Sequence, residues 1–172
     1  DPEMSRGLGD VYKRQVLKEV KRTEIANITI TCTDNIKSRL DLWNVLAKVP
    51  SSSYTDNNTP LYWMDFGNTK TAGQVVLGTV PKKIKQPVST MYETVGSLKV
   101  ITRFVKYARV KEVDSGPSCS LAEALEKQDL FINSTLAQLG CNILWKMFRH
   151  GMIEHHGLFL NLETMKVNPI GV

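Results

Sequence analysis

The sequence predicts an α/β fold, because short β-branched segments alternate with segments whose apolar residues recur every three or four positions. The chain has 172 residues, 42 % apolar and 23 % charged, which is typical of one globular domain and excludes the disordered and collagen-like classes. No apolar run approaches the roughly 20 residues of a membrane span, and the N-terminus lacks the apolar segment of a secretory signal. We therefore expect a cytoplasmic protein.

The first fifteen residues show neither helical nor strand periodicity. Residues 10–15, D-V-Y-K-R-Q, resemble the translation of an adaptor used in sequencing libraries. We therefore expect residues 1–15 to be an artefact or a disordered tail, and exclude them from the fold prediction. The domain is then expected to span residues 16–172, with the natural chain truncated at its start.

The first strand and helix are predicted from residues 26–47. Residues 26–32, A-N-I-T-I-T-C, are short and β-branched, which predicts a buried strand that ends in a polar turn. After the turn, apolar residues at helical spacing predict a helix, with one face formed by Ile36, Leu40, Trp43 and Ala47 and with Leu46 beside them.

The middle of the chain predicts two strands and a basic helix. Residues 61–66 and 74–80 are strand-like, and the glycine-bounded segment between them indicates a hairpin or a tight crossover. In residues 98–109, apolar positions at helical spacing alternate with lysine and arginine, which predicts a basic amphipathic helix.

The last third predicts a long helical stretch followed by a hairpin. Residues 120–123, S-L-A-E, form a capping box, from which helical spacing continues, with a break near Asp129, until Gly151. Strands at 153–155 and 158–162 then flank His156-Gly157, which suits a two-residue turn.

The positive charge is concentrated in one segment. The chain has a formal net charge of +5, and between Lys82 and Lys111 eight basic residues stand against one acidic residue, Glu93. Such a concentration favours an acidic partner, either DNA or a protein, and the alternative is a solvated face of an ordinary domain.

The three cysteines divide into one candidate reactive thiol and two apolar positions. Cys119 lies in G-P-S-C-S, directly before the predicted capped helix, where the helix dipole and the preceding basic segment favour the thiolate. The alternative is a plain loop cysteine. Cys32 and Cys141 lie in apolar strand and helix patterns, so we expect both to be buried in the core.

Two motif-like features are discounted. His150, His155 and His156 lie close together, but zinc needs three or four ligands and the cysteines form no C-x-x-C pair. We expect surface or turn histidines and no zinc site. Residues 65–67, D-F-G, match the magnesium-binding triplet of protein kinases, but the other kinase motifs are missing.

Asp34 and Asn35 form the candidate ligand-binding turn. They follow a short strand and open a helix, and Arg39 lies one turn further on. In an open α/β sheet, ligands bind at the carboxyl ends of strands, so a carboxylate here is well placed to hold a metal-bound phosphate. The alternative is a simple helix cap.

Several segments resemble one enzyme family. Residues 31–39, T-C-T-D-N-I-K-S-R, resemble the C-T-D-N-x-x-x-R signature of the ThiF/MoeB family, which is related to ubiquitin-activating enzymes. Residues 65–68 (D-F-G-N) and 73–78 (G-Q-V-V-L-G) are similar to the next two strands of that family. A subgroup, the ThiF-family proteins of the plasmid-borne PRTRC cassette, is resembled by residues 117–125, 128–133, 157–162 and 168–170. The resemblance covers residues 16–172.

The resemblance implies the C-terminal part of a Rossmann-like adenylation domain, with a mixed sheet and flanking helices. It implies an adenylyltransferase that uses ATP and Mg²⁺ to activate the C-terminus of a ubiquitin-like or sulfur-carrier-like protein. Asp34 matches the residue that contacts ATP and its magnesium, and Asn35 lies beside it. Arg39 matches the arginine of the motif and is expected to support the turn. Cys119 lies where thioester-forming relatives keep a catalytic cysteine.

This sequence departs from the family at its start. Family members open with a strand and a glycine-rich turn for the nucleotide phosphates, and many also carry paired C-x-x-C zinc ligands; neither is found here. We therefore expect residues 16–172 alone to bind ATP weakly or not at all. The expected partners for adenylation are a ubiquitin-like protein and a second copy of the chain in a homodimer. The alternative function is a non-catalytic DNA- or protein-binding module of a plasmid-maintenance cassette, acting through residues 82–111.

Overall fold

A computed structural model describes residues 25–33, 35–49, 59–86, 94–105 and 128–172 of the chain. The strands are β1 (Ile28–Thr31), β2 (Tyr62–Asn68), β3 (Ala72–Thr79), β4 (His155–Asn161) and β5 (Lys166–Gly171). The helices are α1 (Ile36–Leu46), α2 (Ile101–Phe104) and α3 (Ile132–His150). The strands form one five-stranded sheet in the order β1-β2-β3-β4-β5, with one parallel pair, which confirms the prediction of an α/β fold with a mixed sheet.

The strand β1, the helix α1 and the strand β2 form a parallel crossover unit. The two strands run parallel, with Ile28 opposite Tyr62 and Thr31 opposite Asp65. The predicted strand and helix are both confirmed, but β1 is only partly buried, with Ile30 53 % exposed. The predicted helix face is wrong in part: Ile36 and Trp43 pack against the core, but Leu40 and Ala47 are exposed. The buried residues of α1 are Arg39, Leu42 and Leu46, while Leu40 is 38 % exposed. The buried arginine is why apolar spacing alone placed the face incorrectly.

Two antiparallel hairpins complete the sheet. The strands β2 and β3 pair from Tyr62 opposite Thr79 to Asn68 opposite Gly73, which confirms the hairpin of the two alternatives. The strands β4 and β5 are joined by a turn at residues 162–165. The turn predicted at His156-Gly157 is therefore wrong, because both residues lie inside β4. Gly157 allows β3 and β4 to lie close together, because a Cβ at this position would lie 2.6 Å from the carbonyl oxygen of Val75.

The predicted basic helix over residues 98–109 is reduced to the single turn α2. Its C-cap, Val105, has extended backbone angles (φ −89°, ψ 112°), so the helix ends at Phe104. Four of the six residues 100–105, namely Val100, Ile101, Thr102 and Val105, are β-branched, which disfavours a longer helix. Residues 106–109 and the predicted capping box at 120–123 lie outside the described residues.

Helices cover both faces of the sheet. The buried side of α3, from Ile132 to Met147, packs on one face with residues of β2, β3 and β4. The helices α1 and α2 pack on the other face around Trp63 and Val76. The helix α3 ends as predicted at Gly151, which has a left-handed φ of 74°. Within the described ranges, none of the helices combines the length and the apolar character that crossing a membrane requires.

Candidate functional site

The candidate site lies where β1 and β2 end. Because the two strands are parallel, their carboxyl ends meet at one edge of the sheet, with Thr31 opposite Asp65. The chain leaves β1 through Cys32 and Thr33 and enters α1 at its N-cap, Asn35. The sequence therefore places the predicted turn next to the end of β2.

A buried ion pair ties α1 to β2 at this edge. The Nε atom of Arg39 donates to both carboxylate oxygens of Asp65 at 3.0 Å, and its Nη2 donates to the carbonyl oxygen of Phe66 at 2.8 Å. The Arg39 side chain is 9 % exposed and that of Asp65 only 1 %. Burial of two charges is tolerated because each is paired and hydrogen-bonded.

The hydroxyl of Thr31 extends this ion pair into a network that crosses three elements. It donates to Asp65 Oδ1 at 2.6 Å, and it accepts from the indole nitrogen of Trp63 at 2.8 Å. The ring of Trp63 stacks on Trp43 of α1, with the ring centroids 5.9 Å apart. We call Thr31, Arg39, Trp63 and Asp65 the polar cluster; it fixes β1, α1 and β2 relative to one another.

Sequence reasoning missed this network. It assigned Asp65 no partner, and it treated Arg39 as support for a local turn rather than as half of a buried pair. One signal was present: Asp65 interrupts an otherwise apolar strand segment, and a buried carboxylate requires a charged or hydrogen-bonding partner. The structure also gives no support to a kinase-like magnesium site at the D-F-G triplet, because Arg39 and Thr31 already bind the carboxylate of Asp65.

The structure does not bring the predicted ligand-binding residues together in one site among the described residues. Asn35 is the N-cap of α1, and its Oδ1 accepts from the backbone N–H of Ser38 at 2.7 Å, as the capping alternative predicts. Arg39 is buried in the polar cluster. Asp34 lies outside the described residues. The hydroxyl oxygen of Thr33, next to Asp34, is buried and has no hydrogen-bond partner within the described part of the chain.

The cysteines correct one prediction. Both Cys32 and Cys141 are exposed, so the expectation that they are core residues is wrong. Partial burial nevertheless raises the pKa of the Cys32 thiol, and the charge of Asp65 raises it further while Arg39 partly offsets this. These effects disfavour the thiolate at Cys32. Cys119, the candidate catalytic cysteine, lies outside the described residues.

The histidines also depart from the prediction. His150 and His155 are exposed as expected, but His156 is 2 % exposed, so its assignment to the surface or to a turn is wrong. Its Nδ1 lies 2.7 Å from the carbonyl oxygen of Leu77. Burial lowers the pKa of this imidazole, the bond to Leu77 opposes the shift, and the charge of Lys99 adds to it. Among the described residues, no group of three or more His, Cys, Asp or Glu side chains is arranged to hold a metal.

Comparison with known proteins adds no identification: no family model matches the chain, and no curated protein matches it. The chemical capacity of the site therefore rests on its own residues. The polar cluster has its charges internally paired, so it acts as a rigid support.

Proposed function

We propose that this protein takes part in ATP-dependent adenylation of the C-terminus of a ubiquitin-like or sulfur-carrier-like protein. The observation that carries the proposal is the crossover unit of β1, α1 and β2, in which the chain passes from the carboxyl end of β1 to Asn35, the N-cap of α1. Open α/β sheets bind nucleotides at such strand ends. The finer fold assignment, the C-terminal part of a Rossmann-like ThiF adenylation domain, belongs to this proposal.

The proposed reaction balances as a transfer of AMP. A carboxylate oxygen of the acceptor C-terminus attacks the α-phosphorus of ATP. The bond between that phosphorus and the oxygen bridging to the β-phosphate breaks, and pyrophosphate leaves with the bonding electrons. The product is an acyl adenylate. We propose that the reaction takes place in the cytoplasm.

The residues between β1 and α1 would have different roles in binding the nucleotide. Asp34 would hold the magnesium ion of the nucleotide, since one or two carboxylates and the substrate phosphates satisfy this ion. The ion would neutralise phosphate charge during the transfer. The hydroxyl oxygen of Thr33 is buried and has no hydrogen-bond partner among the described residues, which supports a polar ligand beside it. Asn35 would keep the first turn of α1 in place through its bond to Ser38.

Arg39 is a positioning residue in this proposal. Two of its nitrogen atoms already bind Asp65 and Phe66, and its side chain is 9 % exposed. It therefore holds α1 against β2 and sets the direction from which the turn approaches a ligand.

The test is ATP-dependent pyrophosphate exchange by the full product of the gene, with ubiquitin-like proteins that end in glycine as acceptors. Asp34→Asn is expected to abolish exchange, because the amide has nearly the same shape as the carboxylate but loses the charge that holds magnesium. Asp41→Asn, on the same segment but within α1, is the matched control and should retain exchange. Full exchange in a folded Asp34→Asn protein would overturn the assignment.

Cys119 would act after adenylation. In the proposed step its sulfur attacks the acyl carbon of the adenylate, a thioester forms, and AMP leaves. Cys119→Ala should retain pyrophosphate exchange but lose a thiol-sensitive conjugate with the acceptor. Identical conjugates from the variant and the wild type would remove the thioester step and leave the adenylation proposal standing.

A second candidate function is a non-catalytic binding module of a plasmid-maintenance cassette. It is favoured by the exposure of Lys82, Lys83, Lys85 and Lys99, the part of the basic segment that the structure describes with side chains. Salt-sensitive DNA binding without pyrophosphate exchange would support this function over adenylation, because phosphate contacts release counterions.

A further inference from the structure

The long helix α3 leaves an apolar stripe in solvent. Trp145 is 63 % and Phe148 is 67 % exposed, and Cys141 is exposed one turn before them. The spacing of four and then three residues places the three side chains on one face. That face lies away from the buried side of the helix, which consists of Ile132, Leu136, Gly140, Ile143 and Met147.

Positive charge flanks this stripe on one side. Lys146 and Arg149 each follow an aromatic residue by one position, so both lie on the same flank, and both are exposed. The helix contains no acidic residue. Cations near a helix C-terminus are stabilised by the helix dipole, which accounts for the charges but not for two exposed aromatic rings beside them.

A second basic element lies at the same end of the molecule. Lys82, Lys83 and Lys85 are exposed around Ile84, whose backbone N–H donates to Gly96 at 2.7 Å. The neighbouring residue, Val95, donates to the carbonyl oxygen of Gly151, the C-cap of α3, at 3.1 Å. Two backbone hydrogen bonds therefore connect the lysine-rich loop to the end of α3.

We propose that this surface binds an amphipathic helix of a partner protein whose apolar face is bordered by acidic residues. The basic-aromatic surface consists of Cys141, Trp145, Lys146, Phe148 and Arg149; Lys82, Lys83 and Lys85 lie in the loop that backbone hydrogen bonds connect to the end of α3. Spacing of four and three residues is that of a helix-packing seam, and Trp and Arg are the residues that anchor protein interfaces most often. The one-sided charge selects an acidic flank and sets the orientation of the partner.

The charge also discriminates between occupants. In a symmetric dimer through this face, a second copy would present the same acid-free helix, so it would supply no complementary charge for Lys146 and Arg149. Nucleic acid would satisfy the cations and stack on aromatic rings, but it would not use Cys141 as part of a continuous apolar seam. The inference concerns the far end of α3 and does not depend on adenylation.

The test uses the full chain and two synthetic 21-residue helical peptides. Both peptides have leucine at the seam positions; one carries glutamate on its flanks and the other lysine. We expect the glutamate peptide to bind at least tenfold more tightly by fluorescence anisotropy, and to lose affinity as salt rises, because the attraction is between exposed charges. A missing preference, or no binding of either peptide, would overturn the proposal.

Two pairs of variants locate the binding surface. Trp145→Ala/Phe148→Ala should weaken the glutamate peptide at least tenfold through the loss of the anchors. Lys146→Glu/Arg149→Glu alters only exposed side chains, so it keeps the test valid if the aromatic variant misfolds; it should reverse the preference towards the lysine peptide. The controls Phe159→Ala on β4 and Lys37→Glu on α1 change exposed residues elsewhere and should stay within twofold of wild type.

Two further measurements identify the other occupants. If 20-nucleotide single-stranded DNA binds more tightly than the glutamate peptide and Lys146→Glu/Arg149→Glu removes it, the surface is a nucleic-acid site and the proposal fails. If sedimentation shows a dimer that Trp145→Ala/Phe148→Ala dissociates, the surface is an interface between copies and the proposal fails. A monomer with the expected peptide preference supports it.

Discussion

Removal of one charge from the polar cluster should destabilise the fold more than the same kind of substitution at an exposed position of the protein. Asp65→Asn preserves the shape of the side chain but leaves the buried guanidinium of Arg39 without a counter-charge, at a position where the carboxylate is 1 % exposed. Removing one partner of a buried pair costs about 3–5 kcal/mol. For a chain of this size, that corresponds to a fall in Tm of roughly 6–20 °C.

The measurement is urea unfolding at pH 7, followed by circular dichroism. Asp41→Asn makes the same chemical change on α1 at a position outside the cluster, and is expected to change stability by less than about 0.5 kcal/mol. Arg39→Met should match Asp65→Asn in direction, because it leaves the carboxylate without its charged partner.

The double variant Arg39→Met/Asp65→Leu tests whether the two residues act as a pair. If they do, the double variant loses less stability than the sum of the two single variants, with a coupling energy of at least about 1 kcal/mol. Additive losses, or a loss below about 1 kcal/mol in Asp65→Asn, would refute the reasoning that a buried ion pair holds α1 on β2.

Three other predictions follow from buried or crowded groups. The pKa of His156 is lowered in the fold, so the unfolded chain binds more protons between that pKa and about 6.5. The free energy of unfolding is therefore highest above this range and falls as the pH decreases through it. In urea unfolding at several pH values, His156→Gln should flatten this pH dependence, and His155→Gln should not. Gly157→Ala should destabilise by about 1–3 kcal/mol, because its Cβ would crowd a backbone carbonyl. Gly171→Ala is the control: its added Cβ would have no atom of the described residues within 4 Å, so it should be nearly neutral in the same urea unfolding assay. The raised pKa of Cys32 predicts that its alkylation rate, measured by mass spectrometry, increases with pH at a higher midpoint than that of a free cysteine peptide; a matching midpoint would contradict this.

Local patterns were sufficient to predict most of the elements. The spacing of apolar residues predicted α1 and α3, and a glycine in the left-handed region ended α3 at the expected position. The failures arose where one residue type serves two purposes. The glycine in H-G was interpreted as a turn residue, but Gly157 permits close contact between β3 and β4. In residues 98–109, helical spacing coincided with β-branched residues, and only one turn of helix forms.

The candidate site could be located from the sequence, but its support could not. The T-D-N segment after a short strand indicates a strand-end turn because the signal is local. The pairing of Arg39 with Asp65 joins residues 26 positions apart, and it depends on β1 and β2 being parallel, which places Thr31 opposite Asp65. A periodicity that counts only apolar residues treats a buried arginine as a residue of the exposed face. The carboxylate in a buried strand was the one clue to the arginine, because a buried negative charge requires a positive partner.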